Sequence, residues 1–227
     1  MSASRDTILG RLKRALDRDN RAPDAARARL ESPPAGLVPK RGQTEGADKI
    51  NQFTEEVSKV DTTVDRVSGL QGVPGAVADY LATHNLPTKV RVAPALESAP
   101  WESQPLLELA SGVADGSDVV GLSRAFGGVA ETGTLVFLSG PDNPTTVNFL
   151  PQTHIAVVGA SDIEGSYEQV WRRIRAQAPD VGPGKTQLPR NVNWVTGPSR
   201  TADIEQTLLL GAHGPQRLHI IVVDDVG

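Results

Sequence analysis

The chain has 227 residues, a net charge of -4 at pH 7 and no cysteine. This length fits one domain of ordinary size, or one domain that carries an extension. The mild acidity disfavours a nucleic-acid or anionic-membrane partner, and the missing thiols exclude disulfides, thiolate zinc sites and iron–sulfur ligation by this chain.

The apolar runs are short. The longest, such as residues 155–158 and 220–223, fall far below the roughly 18 residues that a membrane span needs. Residues 1–14 lack the apolar core of a signal peptide. We therefore expect a cytoplasmic protein without a membrane span.

The first 45 residues are predicted to form a helix and a connector. Ile8, Leu9, Leu12 and Leu16 lie on one stripe of an amphipathic helix over residues 5–18, which is surrounded by basic side chains. From residue 20 to residue 46 the sequence is rich in proline, glycine and alanine, which indicates an extended connector. The predicted domains are therefore residues 1–45 and a compact α/β domain over residues 46–227.

Helical and strand patterns alternate after Gly46. Helices are predicted over residues 50–57, 73–81, 167–174 and about 200–210. Strands are predicted at residues 62–67, 89–92, 118–122, 134–138, 154–158, 191–195 and 218–223. This alternation predicts an α/β fold with a mainly parallel sheet flanked by helices.

One candidate site follows a predicted strand. Ligands of parallel sheets bind beyond the carboxyl ends of the strands, and the segment 196–201 reads Thr-Gly-Pro-Ser-Arg-Thr. Ser199 and Thr201 can offer hydroxyl groups to an anion there, and Arg200 can offer its guanidinium group. Helix capping by Ser199 or Thr201 explains the same residues, so both interpretations stay open.

Glu131 marks a second candidate segment, at the start of another predicted strand. Its carboxylate can act as a base, a nucleophile or a ligand acceptor. It can equally bind backbone N–H groups or pair with Arg200, which would make the two loops structural. We take Glu131 as the candidate catalytic residue, and the candidate anion ligands are Thr132, Gly133, Thr134, Ser199, Arg200 and Thr201.

The sequence offers no metal-binding pattern. None of the four histidines has a metal-ligand spacing or a neighbouring acidic motif. His154, at the start of a strand, and His213, in a loop, are therefore assigned structural roles. We expect neither a metal nor a cofactor in this chain.

Four segments together resemble one known family. They are residues 129–136, 149–158, 196–205 and 210–222, and in this order they are similar to the lactate-utilization domain family. The resemblance covers about residues 118–223. It implies an α/β core similar to the ribose-phosphate isomerase and CoA-transferase superfamily, in which Glu131 is a positional counterpart of a CoA-transferase glutamate.

The resemblance also implies a function. The family belongs to a three-protein bacterial system that uses L-lactate as a carbon source, and its sister proteins are expected to carry cysteine-ligated iron–sulfur clusters. The first hypothesis is thus a component of L-lactate oxidation to pyruvate, with iron–sulfur proteins as partners. The alternative is a stand-alone enzyme that binds a small anionic ligand, such as a sugar phosphate, acyl-CoA or folate-like molecule, at Glu131 and Ser199–Arg200. Enzymatic activity of this chain and a homo-oligomer both stay open.

Overall fold

The computed structural model describes residues 2–15, 23–31, 36–182, 185–202, 208–211 and 213–224. The chain divides into two compact units, Met1–Leu37 and Val38–Gly227. Within the described residues the α-helices are α1 (Ser2–Ala15), α2 (Pro23–Glu31), α3 (Gly46–Ser58), α4 (Val73–Thr83), α5 (Thr145–Phe149) and α6 (Tyr167–Gln177).

The strands of the described residues belong mostly to the second unit's two larger sheets. They are β1 (Thr63–Val67), β2 (Lys89–Val92), β3 (Glu108–Ser111), β4 (Val120–Arg124), β5 (Gly127–Val129), β6 (Thr134–Leu138), β7 (Thr153–Gly159), β8 (Ile163–Glu164), β9 (Asp180–Gly182), β10 (Lys185–Thr186), β11 (Val192–Val195), β12 (Arg200–Ala202), β13 (Leu208–Leu210) and β14 (Arg217–Val223).

The first unit contains α1 and α2. The predicted amphipathic helix is observed as α1, and residues 16–18 of the prediction lie outside the described residues. The extended connector is a wrong prediction for residues 23–31, where α2 forms. Alanine, arginine and leucine all favour helices, and Pro23 stands at the first helical position, where the missing N–H group costs nothing.

A six-stranded sheet forms the centre of the second unit. Its strand order is β1-β14-β7-β4-β2-β3, and every neighbouring pair is parallel. The central strand β7 is buried along its whole length, as expected for a parallel strand that is covered on both faces. The predicted α/β fold with a mainly parallel sheet is confirmed.

Helices cover both faces of this sheet. Phe53 and Val57 of α3 pack on one face, and Val77 and Leu81 of α4 pack on the other. The short helix α5 lies directly against β4, because a Cβ atom on Gly121 would collide with a backbone carbonyl of α5. This close approach places α5 beside the amino ends of the central strands.

A second sheet, in the order β11-β6-β5-β8, carries the loops of interest. Strands β11 and β6 are antiparallel, with Val195 opposite Leu135. The position of the predicted strand in the sequence suggested that the segment after β11 leaves the carboxyl edge of the parallel sheet. The observed antiparallel pairing shows that it does not. It runs instead past the start of β6.

The helix predicted over about residues 200–210 is also wrong. Strands β12 and β13 pair antiparallel, with Arg200 opposite Leu210, while residues 203–207 lie outside the described part of the chain. Leucines at consecutive positions 208–210 fit a strand as well as a helix, so a short apolar run does not separate the two. With no helix beginning at Ser199, neither capping nor a helix N-terminus explains this segment.

Candidate functional site

Glu131 lies in the turn between β5 and β6, and its side chain is buried. Its backbone N–H donates to the Gly165 carbonyl oxygen at 3.1 Å, and Arg41 Nε donates to its Oε2 at 3.4 Å. Gly42 passes so close that a Cβ atom there would lie 3.2 Å from the same carboxylate oxygen. Glu131 therefore ties the segment around Arg41 to the turn that begins β6.

Gly133 allows the same turn to approach α3. Its φ is +63°, and a Cβ atom would lie 2.6 Å from the backbone nitrogen of Val57. Both the left-handed backbone and the close contact require glycine here. The observed contacts of Gly133 are thus packing contacts.

Four hydroxyl groups meet beside this turn, and we name them the hydroxyl cluster: Thr132, Thr134, Tyr167 and Thr196. Thr134 Oγ1 lies 2.6 Å from Thr196 Oγ1 and 2.9 Å from the Tyr167 hydroxyl. Thr132 Oγ1 lies 2.8 Å from Thr134 Oγ1 and 2.9 Å from the Tyr167 hydroxyl. The cluster joins the β5–β6 turn, the start of α6 and the end of β11.

Ser199 is held mainly by the loop before β14. Its N–H donates to the Pro215 carbonyl oxygen at 2.8 Å, and its own carbonyl oxygen accepts from Gly211 N–H at 3.0 Å. Ser199 Oγ accepts the backbone N–H of His213 at 3.3 Å. These bonds fix the serine at the amino end of β14.

Arg200 is paired with Asp61. Its Nη2 donates to Asp61 Oδ2, and the Asp61 side chain is 81% exposed. Thr201 contributes its backbone to β12, and its side chain lies outside the described residues.

The structure brings the two predicted segments together only in part. Thr134 and Thr196 connect them directly. In the described part of the chain, however, Glu131 and Arg200 make no ion pair with each other, since Glu131 contacts Arg41 and Arg200 contacts Asp61. The predicted catalytic and anion-binding roles of these residues stay predictions.

A cavity of about 270 Å³ lies at the amino ends of β7 and β14, under the Thr196–Arg200 loop. Ser199 and Arg200 contribute to its wall, whereas Glu131, Thr132 and Thr134 do not. Its lining residues are Asn148, Phe149, His154, Trp194, Val195, Thr196, Gly197, Pro198, Ser199, Arg200, His213, Gly214, Pro215 and Leu218. The described part of the lining mixes polar and apolar side chains, and none of these described wall residues carries a carboxylate.

Asn148 was not among the residues predicted from the sequence. It is only 2% exposed, and its Oδ1 has no hydrogen-bond partner among the described residues. The five-residue helix that carries it is too short for a periodic signal. The sequence contains one indication that Asn148 belongs to a site. It stands directly before the segment 149–158, which carries the family resemblance.

His154 is another polar wall residue that sequence reasoning did not assign to a site. It is buried, and its Nε2 lies 2.8 Å from Ser123 Oγ. Burial lowers the pKa of His154 to about 3, because an apolar environment disfavours the charged imidazolium. The ring is therefore neutral at physiological pH, and it can bind a ligand only as a neutral donor or acceptor.

The described residues contain neither a metal-binding cluster nor a membrane-spanning helix. No three histidine, aspartate or glutamate side chains there come close enough together to hold a metal ion. No helix there has both the length and the apolar character of a membrane span.

The fold and the cavity define a class of protein: an α/β domain with a small pocket of mixed polar and apolar lining at the amino ends of its central parallel strands. Residues 114–223 match the family model of the LUD domain. All residues that line the cavity fall within this match. The predicted relationship to the lactate-utilization domain family is thus confirmed.

Two curated relatives are named Lactate utilization protein C. The one from Geobacillus sp. (strain WCH70) is 41% identical over 97 residues, which are 43% of this chain and 39% of the relative. The one from Halalkalibacterium halodurans is 38% identical over 106 residues, which are 47% of this chain and 44% of the relative. The chain spans less than half the length of these relatives.

One solved structure shares the fold. The crystal structure of a DUF162 family protein from Deinococcus radiodurans has a TM-score of 0.60 and 23% sequence identity to this chain. The likeness covers 79% of this chain and 99% of that chain.

Proposed function

We propose that this chain is a component of a bacterial L-lactate utilization system, in which it takes part in the oxidation of L-lactate to pyruvate. The observation that carries the proposal is its 38–41% identity to proteins named Lactate utilization protein C. The LUD domain match includes the whole wall of the cavity, so the relationship extends to the residues that would meet a ligand.

The amino-acid composition supports the assignment of electron uptake to iron–sulfur partner proteins. Oxidation of L-lactate to pyruvate releases two electrons and two protons, which an acceptor must take up. This chain has no cysteine, and iron–sulfur clusters are held mainly by cysteine thiolates. Clusters that receive the electrons would therefore belong to partner proteins.

The geometry gives less support to a stand-alone enzyme built on Glu131 and Ser199–Arg200. Such an enzyme needs its catalytic carboxylate beside the bound substrate. Glu131 pairs with Arg41 and lies outside the cavity wall to which Arg200 contributes. A binding or assembly role within the larger system fits this arrangement better.

Deletion and copurification test the proposal. We expect a deletion strain to lose growth on L-lactate and to keep growth on pyruvate, and we expect the tagged full chain to copurify with proteins that show iron–sulfur absorption. Normal growth of the deletion strain on L-lactate, together with elution of the chain alone, would contradict the proposal.

A further inference from the structure

We propose that the chain has a second binding site, at the carboxyl edge of the parallel sheet, which takes a carboxylate with an apolar body of several carbon atoms. Arg124 binds the carboxylate group, and an adjoining groove takes the apolar body. The site shares no lining residue with the cavity under the Thr196–Arg200 loop. The inference therefore stands apart from the proposed function.

The site lies where open parallel sheets commonly bind ligands. A cavity of about 310 Å³ includes Ala95, Arg124 and Asp162 in its wall. Arg124 is the last residue of β4, Ala95 follows β2, and Asp162 follows β7. These three strands are neighbours, in the order β7-β4-β2. The cavity thus opens at the carboxyl ends of three adjacent parallel strands, which is the usual position of a ligand in such a sheet.

Arg173 of α6 forms part of the frame of this cavity. Its Nη1 donates to the Asp162 carbonyl oxygen at 2.8 Å, and its Nη2 donates to Asp162 Oδ1 at 2.7 Å. Nη2 also donates to the Phe126 carbonyl oxygen at 3.3 Å, and the guanidinium lies over the Phe126 ring, 4.9 Å from its centre. These contacts fix the Asp162 carboxylate and occupy the hydrogen-bond donors of Arg173.

Arg124 has unused hydrogen-bond donors. The ion pair that it makes within the described residues joins its Nη2 to Asp162 Oδ2 over 4.0 Å, which is too long for a hydrogen bond. A guanidinium group has five N–H donors. The Arg124 side chain is 34% exposed and lines the cavity, so a ligand in the cavity can reach it.

The charges around Arg124 favour a ligand with one negative charge. Because Arg173 already binds Asp162 through a charge-assisted hydrogen bond, the charge of Arg124 is left without a close partner. Arginine binds a carboxylate through two parallel hydrogen bonds. A doubly charged phosphate monoester would meet stronger repulsion from the Asp162 carboxylate beside Arg124. The site therefore suits a carboxylate.

An adjoining groove supplies surface for the apolar body of the ligand. Its volume is about 540 Å³, and it shares Phe126, Leu138 and Gln177 with the cavity. The two spaces are therefore neighbours. Beyond the shared residues, the apolar side chains of its described wall include Pro141, Ala178, Leu188 and Pro189. A carboxylate longer than a three-carbon acid can use both spaces.

Calorimetric titration of the full chain with octanoate, acetate and 1-octanol tests the inference. Octanoate has both the charge and the apolar chain, acetate lacks the chain, and 1-octanol lacks the charge. We expect octanoate to bind at least about tenfold more tightly than acetate, because several methylene groups leave water. It should bind at least about fivefold more tightly than 1-octanol, because only the carboxylate receives charge-assisted hydrogen bonds.

Two pairs of variants locate the bound octanoate. Arg124→Gln should reduce the affinity for octanoate to that for 1-octanol. Arg172→Gln makes the same change at an exposed position of α6 outside both linings, and it should leave the affinity unchanged. Leu188→Ser, in the wall of the groove, should weaken octanoate binding at least about twofold. Leu106→Ser, at an exposed position outside both linings, should not.

Four results would overturn the inference: no binding of octanoate, equal binding of octanoate and 1-octanol, or wild-type octanoate affinity in folded Arg124→Gln or in folded Leu188→Ser. Wild-type affinity in either variant would place octanoate elsewhere on the molecule. If Arg124→Gln does not fold, Leu188→Ser still locates the ligand, because Leu188 is 43% exposed. Growth on L-lactate is a separate measurement, so failure of the proposed function would leave this inference standing.

Discussion

Thr134 and Thr196 are 62 residues apart in the sequence, yet their Oγ1 atoms lie 2.6 Å from each other. The antiparallel pairing of β6 and β11 places them side by side, because Val195 is opposite Leu135. Through this contact the hydroxyl cluster, in which Thr134 is buried and Thr196 is exposed, holds the loop that leads to Ser199 and Arg200. The position of the cavity wall, to which Thr196 contributes, therefore depends on a polar contact with β6.

Replacing Thr134 should weaken this connection. Thr134→Val keeps the shape of the side chain but removes a buried hydroxyl group with three partners, so we expect the free energy of unfolding to fall by about 1–2 kcal/mol. Urea unfolding measures the loss. Thr88→Val, at an exposed position, is the control and should change stability by less than about 0.5 kcal/mol; equal effects of the two variants would contradict the role of the cluster.

Much of the fold could be predicted from local patterns. The stripe of α6 and the β-branched runs of β7 and β14 depend on residues close in sequence, and these elements formed where they were predicted. The partner of β11 could not be predicted in this way, because a four-residue strand carries no information about which distant strand it pairs with. The location of the Ser199–Arg200 loop followed from that pairing, so the expected carboxyl-edge position was wrong.

The candidate site was predictable to a similar extent. Ser199 and Arg200, which the motifs predict as anion ligands, line a cavity, and their role as ligands stays a prediction. The motifs did not indicate the ion-pair partners Arg41 and Asp61, which lie 90 and 139 residues away in sequence. Such pairs arise from the tertiary arrangement, so local sequence reasoning had no access to them.

Neutralising Glu131 should affect stability and leave function intact. Its partner Arg41 is 66% exposed, so we expect Glu131→Gln to lower the free energy of unfolding by only about 0.5–1 kcal/mol. A deletion strain complemented with this variant should grow on L-lactate like one with the unaltered chain, because Glu131 does not line the cavity. Urea unfolding and growth rates check the two parts, with Glu55→Gln at an exposed position as the control. Loss of growth on L-lactate with unchanged stability would restore the catalytic interpretation of Glu131.

Changing the two partners of the Arg200–Asp61 pair should have different effects on function. Asp61 has a φ of +52°, which asparagine tolerates well, so Asp61→Asn removes the charge without straining the turn and leaves the Arg200 guanidinium in place. We expect a deletion strain complemented with Asp61→Asn to grow on L-lactate like one with the unaltered chain, since a surface ion pair contributes little stability. Arg200→Ala, which removes the predicted anion ligand, should slow this growth. Equal growth of the two variants would assign the pair a purely structural role.

The stability of the fold should fall with pH partly because of His154. Burial lowers the pKa of His154 from 6.5 to about 3. Between these values the unfolded chain binds a proton that the folded chain does not, so stability decreases as the pH falls below about 6.5. At pH 5 this single group accounts for roughly 2 kcal/mol.

Urea unfolding of His154→Gln at pH 7 and pH 5 measures this contribution. The variant should lose less stability than the wild type between the two pH values, whatever its absolute stability. His213→Gln, at an exposed position, is the matched control and should keep the wild-type pH dependence. A slope that is the same in His154→Gln and the wild type would show that another group is responsible.

Growth on L-lactate tests the central claim most directly. A deletion strain is complemented with the unaltered chain or with the empty vector, and growth rates are measured on L-lactate and on pyruvate as sole carbon source. We expect the unaltered chain to restore growth on L-lactate, the empty vector to fail, and both strains to grow on pyruvate. A deletion strain that grows on L-lactate as well as its parent would contradict the account.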